Sequence, residues 1–203
     1  RSTLFPYTTL FRSARFSLEP MLAESWEQPT PTSYVFHIRK GVKFHNGEEC
    51  TADDVKFTLD RAKTPLGTSA HALIKDLTDV EVLDRYTVKI NLGRPVTPFL
   101  YALGESWAGI VNKKAVEEGD PAKNPVGTGP FKFVSWKKAD RVILERFEDY
   151  HGKKPNFKTL VVRAIPEASS RTIELQSGAV DVAYGIHFSE TWQIGRASCR
   201  ERV

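Results

Sequence analysis

Histidine, cysteine and paired carboxylates most often carry metal or nucleophilic chemistry, and this chain holds them in unpromising arrangements. The histidines are His37, His45, His71, His151 and His187, and no two have the HxxxH spacing that puts two imidazoles on one helical face. Cys50 has no CxxC partner. Structural or solvated histidines are the expectation, with no metal and no cofactor. Asp53 and Asp54 are neighbours, and neighbours on a helix point about 100° apart. They cannot converge on one proton, and a place in a first helical turn, where the helix dipole favours acids, accounts for both. Neither GxSxG nor HExxH occurs. Nothing in these arrangements looks like an active site, so an enzyme is disfavoured and no catalytic residue is expected.

The glycine-rich run "VGTGPF" and the aromatics are more informative. A phosphate-cradling loop needs a helix and usually a Lys-Ser/Thr pair after its glycines, but here Pro130 follows and Phe131 and Phe133 alternate as in a strand. The run is either a tight turn or a backbone-exposing loop at a domain junction. Trp107 lies in "GESWAGIV" beside Glu105 and Ser106, and Tyr184 precedes Gly185 at the end of an apolar run. An aromatic at a strand end near glycine lines either a ligand cleft or a core.

These residues have to be positioned by regular elements. "SYVFHI" alternates, with Tyr34, Phe36 and Ile38 on one face of a half-buried strand. Gly41 and Asn46-Gly47 supply turns. "TADDVKFTLDRA" switches period, with Thr51 as N-cap and Val55, Leu59 and Ala62 as an apolar stripe. "DVEVLDRYTVKINL" predicts a hairpin turning at Asp84-Arg85, "VTPFLYAL" a short helix, "WAGIV" a short strand, and "NKKAVEEG" a helix capped by Asn112 and stopped by Gly119. "GDPAKNPVGTGP" is the best internal boundary. Beyond it, "FKFVSW" and "RVILERF" predict a second hairpin. "TLVVRAIP", "EASSRTIELQSG" and "VDVAYGI" predict a strand–helix–strand unit with parallel strands. Hairpins mixed with one such crossover indicate an α/β protein.

Both ends read differently. Residues 1–13, "RSTLFPYTTLFRS", and 193–203, "QIGRASCRERV", translate from the two strands of one oligonucleotide, and that oligonucleotide resembles a common sequencing adapter. Both segments are expected to be adapter-derived rather than native. Setting them aside removes five arginines and one glutamate, so 29 basic and 25 acidic residues become 24 of each. The net charge of +4 vanishes, and with it the case for a nucleic-acid partner. The expectation is an interior piece of a longer protein. No apolar run approaches the ~20 residues of a membrane span.

Several segments in order carry a resemblance: "LAESWE", "YVFHIRKGVKFHNG", "TADDVKFTLDR", "VGTGPFKFVSW", "LERFEDYHGKKP" and "ELQSGAVDVAYGI". From Leu18 to Ile186 the chain resembles the bacterial extracellular solute-binding proteins of family 5, the peptide- and nickel-binding receptors of ABC importers. The resemblance implies a partial type II periplasmic-binding-protein fold. Residues 14–123 would be the extra α/β domain of the first lobe, and 124–192 part of the hinged first lobe. It implies a receptor for oligopeptides or a similar small solute, working with ABC permease subunits in the periplasm or on the outer face of the membrane. Contact with the membrane would run only through the permease or a lipid anchor outside this chain. Glu105, Ser106, Trp107, Tyr184 and Gly185 match the family's pocket wall, while Gly127 and Gly129 match its crossing into the first lobe. The nickel-binding branch has an arginine in its counterpart of "GESWAGIV" and this chain has none, which weighs against a nickel chelate. A sensor module of a transcription regulator is the alternative function, and an enzyme would need a catalytic constellation elsewhere in a longer chain.

Overall fold

The computed structural model describes residues 10–12, 18–64, 74–104 and 108–186. The chain divides into two compact units, Arg1–Val134 with Leu144–Leu160, and Ser135–Ile143 with Val161–Val203. The expected boundary between Lys123 and Asn124 lies inside the first unit.

The first unit is built on alternation. β1 (Leu10–Arg12) and β2 (Leu18–Pro20) form an antiparallel ribbon, so part of the segment set aside as adapter-derived takes up a strand. β3 (Ala23–Thr30), β4 (Ser33–Ile38), β5 (Leu77–Asp84) and β6 (Thr87–Leu92) make an antiparallel sheet in the order β3-β4-β6-β5. Tyr34, Phe36 and Ile38 of β4 are buried as expected, and Val35 and His37 between them are only half-buried. Register brings the apolar faces together, with Tyr34 opposite Ile90 and Phe36 opposite Val88. α1 (Ala52–Ala62) covers this face with Val55, Leu59 and Ala62, all buried. A fully buried side chain of this size contributes about 1.5–3 kcal/mol. β5 is an edge strand, and α1 blunts it. Lys56 Nζ donates to the Val80 carbonyl at 2.5 Å and Lys63 Nζ to the Thr78 carbonyl at 3.1 Å, taking up two outward acceptors on which another strand would pair.

The β5–β6 hairpin forms, but its turn is Arg85-Tyr86, one residue beyond the expected Asp84-Arg85. Asp84 stays in the strand because its Oδ1 accepts the Tyr86 N–H at 2.8 Å, the side-chain mimic of a backbone turn. α2 (Phe99–Leu103) starts after Pro98. α3 (Lys113–Glu118) is capped by Asn112, whose Oδ1 accepts the Ala115 N–H at 2.8 Å. Gly119 ends α3 for lack of space rather than by a left-handed turn, since a Cβ there would stand 2.9 Å from the Ala115 carbonyl oxygen.

The strand expected at "WAGIV" is not there among the described residues 108–111. Gly109 makes only a single β-bridge, Asn112 N–H donates to the Val126 carbonyl at 3.3 Å, and α1 supplies further backbone hydrogen bonds alongside. Thr58 Oγ1 accepts the Val111 N–H at 3.1 Å and Asp54 Oδ1 accepts the Lys113 N–H at 3.0 Å. Ala108 and Ile110 are buried as a strand would have buried them.

β7 (Phe131–Lys137), β8 (Arg141–Arg146) and β9 (Thr159–Arg163) form a sheet in the order β7-β8-β9, and the division into units passes through these strands. The expected β7–β8 hairpin is present, with Ala139 left-handed at φ 58° in its turn. In the second unit α4 (Ala168–Gln176) follows β9 as expected, but the closing strand does not form: residues 180–186 are irregular. Among the described residues the alternation of Val180, Val182 and Tyr184 finds little surface to bury against, and only Val180 is half-buried. Val182 and Tyr184 are 82% and 84% exposed. A period-2 pattern makes a strand only where a ladder and a covering layer receive it.

Candidate functional site

Of the five expected ligand-wall residues, Glu105, Ser106 and Trp107 lie outside the described residues. The chain on either side of them is anchored in the first unit. Upstream, α2 buries Phe99, Ala102 and Leu103 and ends at Gly104. Downstream, Ala108 and Ile110 are buried, and residues 111–113 are held by Thr58 and Asp54. Asp54 is the hub of this anchorage. It is buried, its Oδ2 accepts the Thr51 N–H at 3.0 Å and the Thr51 hydroxyl at 3.2 Å, and its Oδ1 takes the Lys113 N–H. The sequence shows it only as one of two acids in a first turn. The cap is legible there, but the second task is not.

Tyr184 and Gly185 lie in the second unit. Tyr184 projects into solvent and is not a core residue. Gly185 is left-handed at φ 70°, a conformation that glycine adopts without strain. Its carbonyl accepts from Arg171 Nη2 at 2.8 Å, and Arg171 Nη1 reaches the carbonyls of Ile165 at 2.6 Å and Pro166 at 2.8 Å. Sequence reading passed over Arg171. One signal was available: it sits a single turn into α4, near the positive end of the helix dipole, where a cation is disfavoured.

His45 holds the "VGTGP" loop at both of its glycines, while its ends are held by the Asn112 N–H on the Val126 carbonyl and the Phe147 N–H on the Pro130 carbonyl. His45 N–H donates to the Gly127 carbonyl at 2.9 Å, and its Nδ1 accepts the Gly127 N–H at 3.4 Å. Its Nε2 therefore carries the proton and donates to the Gly129 carbonyl at 3.0 Å. Burial lowers the His45 pKa and favours this neutral ring, although the bond to Gly129 works against the shift. The Gly127 N–H, a donor that a phosphate cradle would need, is taken by His45, which suits a structural joint rather than a phosphate site. His151 is the other unusual imidazole. Both its ring nitrogens are buried without a hydrogen-bond partner, and burial, aided by the charge of Arg39, lowers its pKa to about 4. Cys50 is fully buried, and burial raises its pKa well above the ordinary thiol range, with Asp54 and Glu49 adding to the effect. A thiol of this kind is inert. Among the described residues no group of three or more His, Cys, Asp or Glu side chains could hold a metal ion, and no helix is long and apolar enough to cross a membrane.

Residues 17–198 match the family described as bacterial extracellular solute-binding proteins, family 5 Middle. The chain belongs to this family. The probable D,D-dipeptide-binding periplasmic protein DdpA of Escherichia coli K12 is 34% identical over 188 residues, covering 89% of this chain and 36% of that protein. Among solved structures, the periplasmic binding protein DppA from Helicobacter pylori in complex with the peptide STSA superposes with a TM-score of 0.84 at 32% identity, over 93% of this chain and 42% of that one. NikZ from Campylobacter jejuni, in complex with Ni(L-His), gives 0.78 at 32% identity over 85% of this chain and 36% of its own. The fold of this family-5 chain is thus a partial type II periplasmic-binding-protein fold, and the chain spans roughly two-fifths or less of these relatives' length. The relatives are binding proteins rather than enzymes.

Proposed function

We propose that this chain is part of the solute-binding receptor of an ABC importer that takes oligopeptides or a similar small solute at the periplasmic or outer face of the membrane and passes it to permease subunits. Residues 14–123 form the extra α/β domain of the first lobe and 124–192 a part of the hinged first lobe, while 1–13 and 193–203 derive from adapter. Glu105 supplies a carboxylate, Ser106 a hydroxyl, Trp107 and Tyr184 flat apolar faces, and Gly185 a backbone that a ligand approaches closely. A ligand touching both lobes favours the closed form by its differential contacts, and the closed form is what a permease distinguishes.

The observation that supports this reading best is Tyr184, a large aromatic left 84% exposed beside a left-handed glycine. In the core it would serve packing, whereas at the surface of a binding protein it is an available anchor. Family membership makes a receptor the natural setting. The test is calorimetric titration of the full-length gene product with a casein digest, then with the peptides it retains. Tyr184→Ala and Trp107→Ala should each weaken binding by about tenfold or more, the loss usual for an aromatic anchor, with thermal stability unchanged. Unchanged affinity in both variants would refute the assignment. Amplification of the source genome across residues 193–203 tests the ends, because a native coding sequence continuing as QIGRASCRERV would overturn the adapter reading.

A further inference from the structure

We propose that Arg171 is a positioning residue for the ligand wall, fixing the backbone that presents Tyr184; this rests on the receptor reading above. The second unit gives that backbone little else to rest on. Among its described residues no hydrophobic side chain is buried, and Thr172 is its one buried side chain. No strand forms over residues 180–186, so no ladder fixes them.

In that setting the Arg171 guanidinium spans three carbonyls. Nη1 takes those of Ile165 and Pro166, on the chain between β9 and α4, and Nη2 takes that of Gly185, next to Tyr184. Its Nε–H is buried and finds no acceptor, so these three carbonyls alone orient the fork. A planar guanidinium makes such bonds in fixed directions, so the separation of the two loops is set and not merely limited. The α4 backbone that carries Arg171 is itself held. Arg163 of β9 reaches both carboxylate oxygens of Glu174, one turn further along α4. A continuous polar tie therefore runs from β9 through Glu174 and α4 to Arg171 and Gly185. Placing arginine near the positive end of a helix costs stability, and reach to three carbonyls accounts for the position.

Lysine cannot replace this. Its ammonium is one point of charge and cannot hold carbonyls on two loops in a fixed plane. Without the tie, residues 183–186 sample more conformations, and affinity falls by the fraction that remains competent to bind. If that fraction drops to about a tenth, the apparent Kd rises about tenfold.

The experiment uses the full-length receptor with Arg171→Ala, Arg171→Lys and Tyr184→Ala. Hydrogen exchange is followed at the amides of residues 183–186, and affinity is measured for a casein digest and the peptides recovered from it. Both Arg171 variants should raise exchange at these amides and weaken binding, Lys less than Ala, while exchange in β4 and β6 stays unchanged. Arg171→Lys keeps a cation and guards against an Ala variant that fails to fold. If exchange at 183–186 does not rise, the tie does not exist and the proposal fails. If exchange rises and Tyr184→Ala weakens binding while neither Arg171 variant does, the positioning role alone is refuted. If Tyr184→Ala leaves affinity unchanged, Tyr184 is not part of the ligand wall and this proposal falls, while Trp107→Ala decides whether the rest of the assignment falls with it.

Discussion

Replacing Asp54 tests how the first unit holds the chain that follows Trp107. The carboxylate is buried and its two oxygens do separate work. Oδ2 closes the start of α1 on Thr51, and Oδ1 holds the first residue of α3, Lys113. Asp54→Ala leaves the Thr51 and Lys113 N–H groups without these acceptors. A hydrogen bond to a charged group contributes about 1.5–3 kcal/mol, so two at the lower end give a loss of about 3 kcal/mol. Asp54→Asn keeps one acceptor oxygen and turns a donor toward the other N–H, so it should lose about half of that or slightly more. Thr58 donates to the Asp54 carbonyl at 2.8 Å and accepts from Val111, so it belongs to the same network. Thr58→Val and Asp54→Ala should therefore combine non-additively. The assay is urea unfolding followed by tryptophan fluorescence, with the slope unchanged and the midpoint lowered in the order wild type, Asp54→Asn, Asp54→Ala. A loss below about 1 kcal/mol for Asp54→Ala, the ordinary cost of a substitution anywhere, would show that Asp54 does not replace the missing ladder.

Two further outcomes follow from the buried titratable groups. His151 binds a proton in the unfolded chain below about pH 6.5 but in the folded chain only below about 4. Its contribution is therefore complete above pH 6.5 and is lost as the pH falls from about 6.5 toward 4. Allowing for its partial exposure to solvent, the loss is about 1–2 kcal/mol. Melting temperatures at pH 7.5, 6 and 5 should fall less steeply for His151→Phe, and parallel curves would refute this. Cys50, buried and with its thiol pKa raised, should resist a thiol reagent in a Cys199→Ser background until urea unfolds the chain. Prompt labelling in native buffer would contradict the burial.

Local pattern and tertiary partner separate what was legible in the sequence from what was not. The alternation of Tyr34, Phe36 and Ile38 names a buried face because residues two apart on a strand share a side, and β6 supplies matching residues opposite them. The Thr51 cap and the Val55–Leu59–Ala62 stripe also follow from local rules, and α1 obeys them. "WAGIV" and "VDVAYGI" show equally good patterns, yet no strand forms over their described residues. In the first case only a single bridge forms at Gly109, and Thr58 of α1 takes the Val111 donor. In the second, among the described residues, Val182 and Tyr184 find no covering layer. Neither fact is written in the segment itself. The candidate site divides in the same way. Tyr184 stands out as an aromatic beside a glycine, but the bond from Arg171 to Gly185 needed the fold, since the thirteen intervening residues give no sign that this side chain returns there.

The two units are stabilised by different physics, and that difference bears on the proposed function. Every hydrophobic side chain buried among the described residues lies in the first unit. The second is held by ion pairs and hydrogen bonds: Arg163 with Glu174, Lys137 and Arg141 with Asp140, and Arg171 with its three carbonyls. Exposed ion pairs contribute at most about 1 kcal/mol each, whereas dislodging a buried aromatic or leucine costs several. A backbone segment tied in the second way can be reset by interactions of the size a small ligand provides, and one locked into the first unit's core cannot. An open–closed equilibrium that a solute is to shift must differ by only a few kcal/mol between its states. If Tyr184 faces the ligand as proposed, presenting it from a polar tie rather than from a packed core keeps that backbone within this range, and the strength of the Arg171 tie then sets affinity.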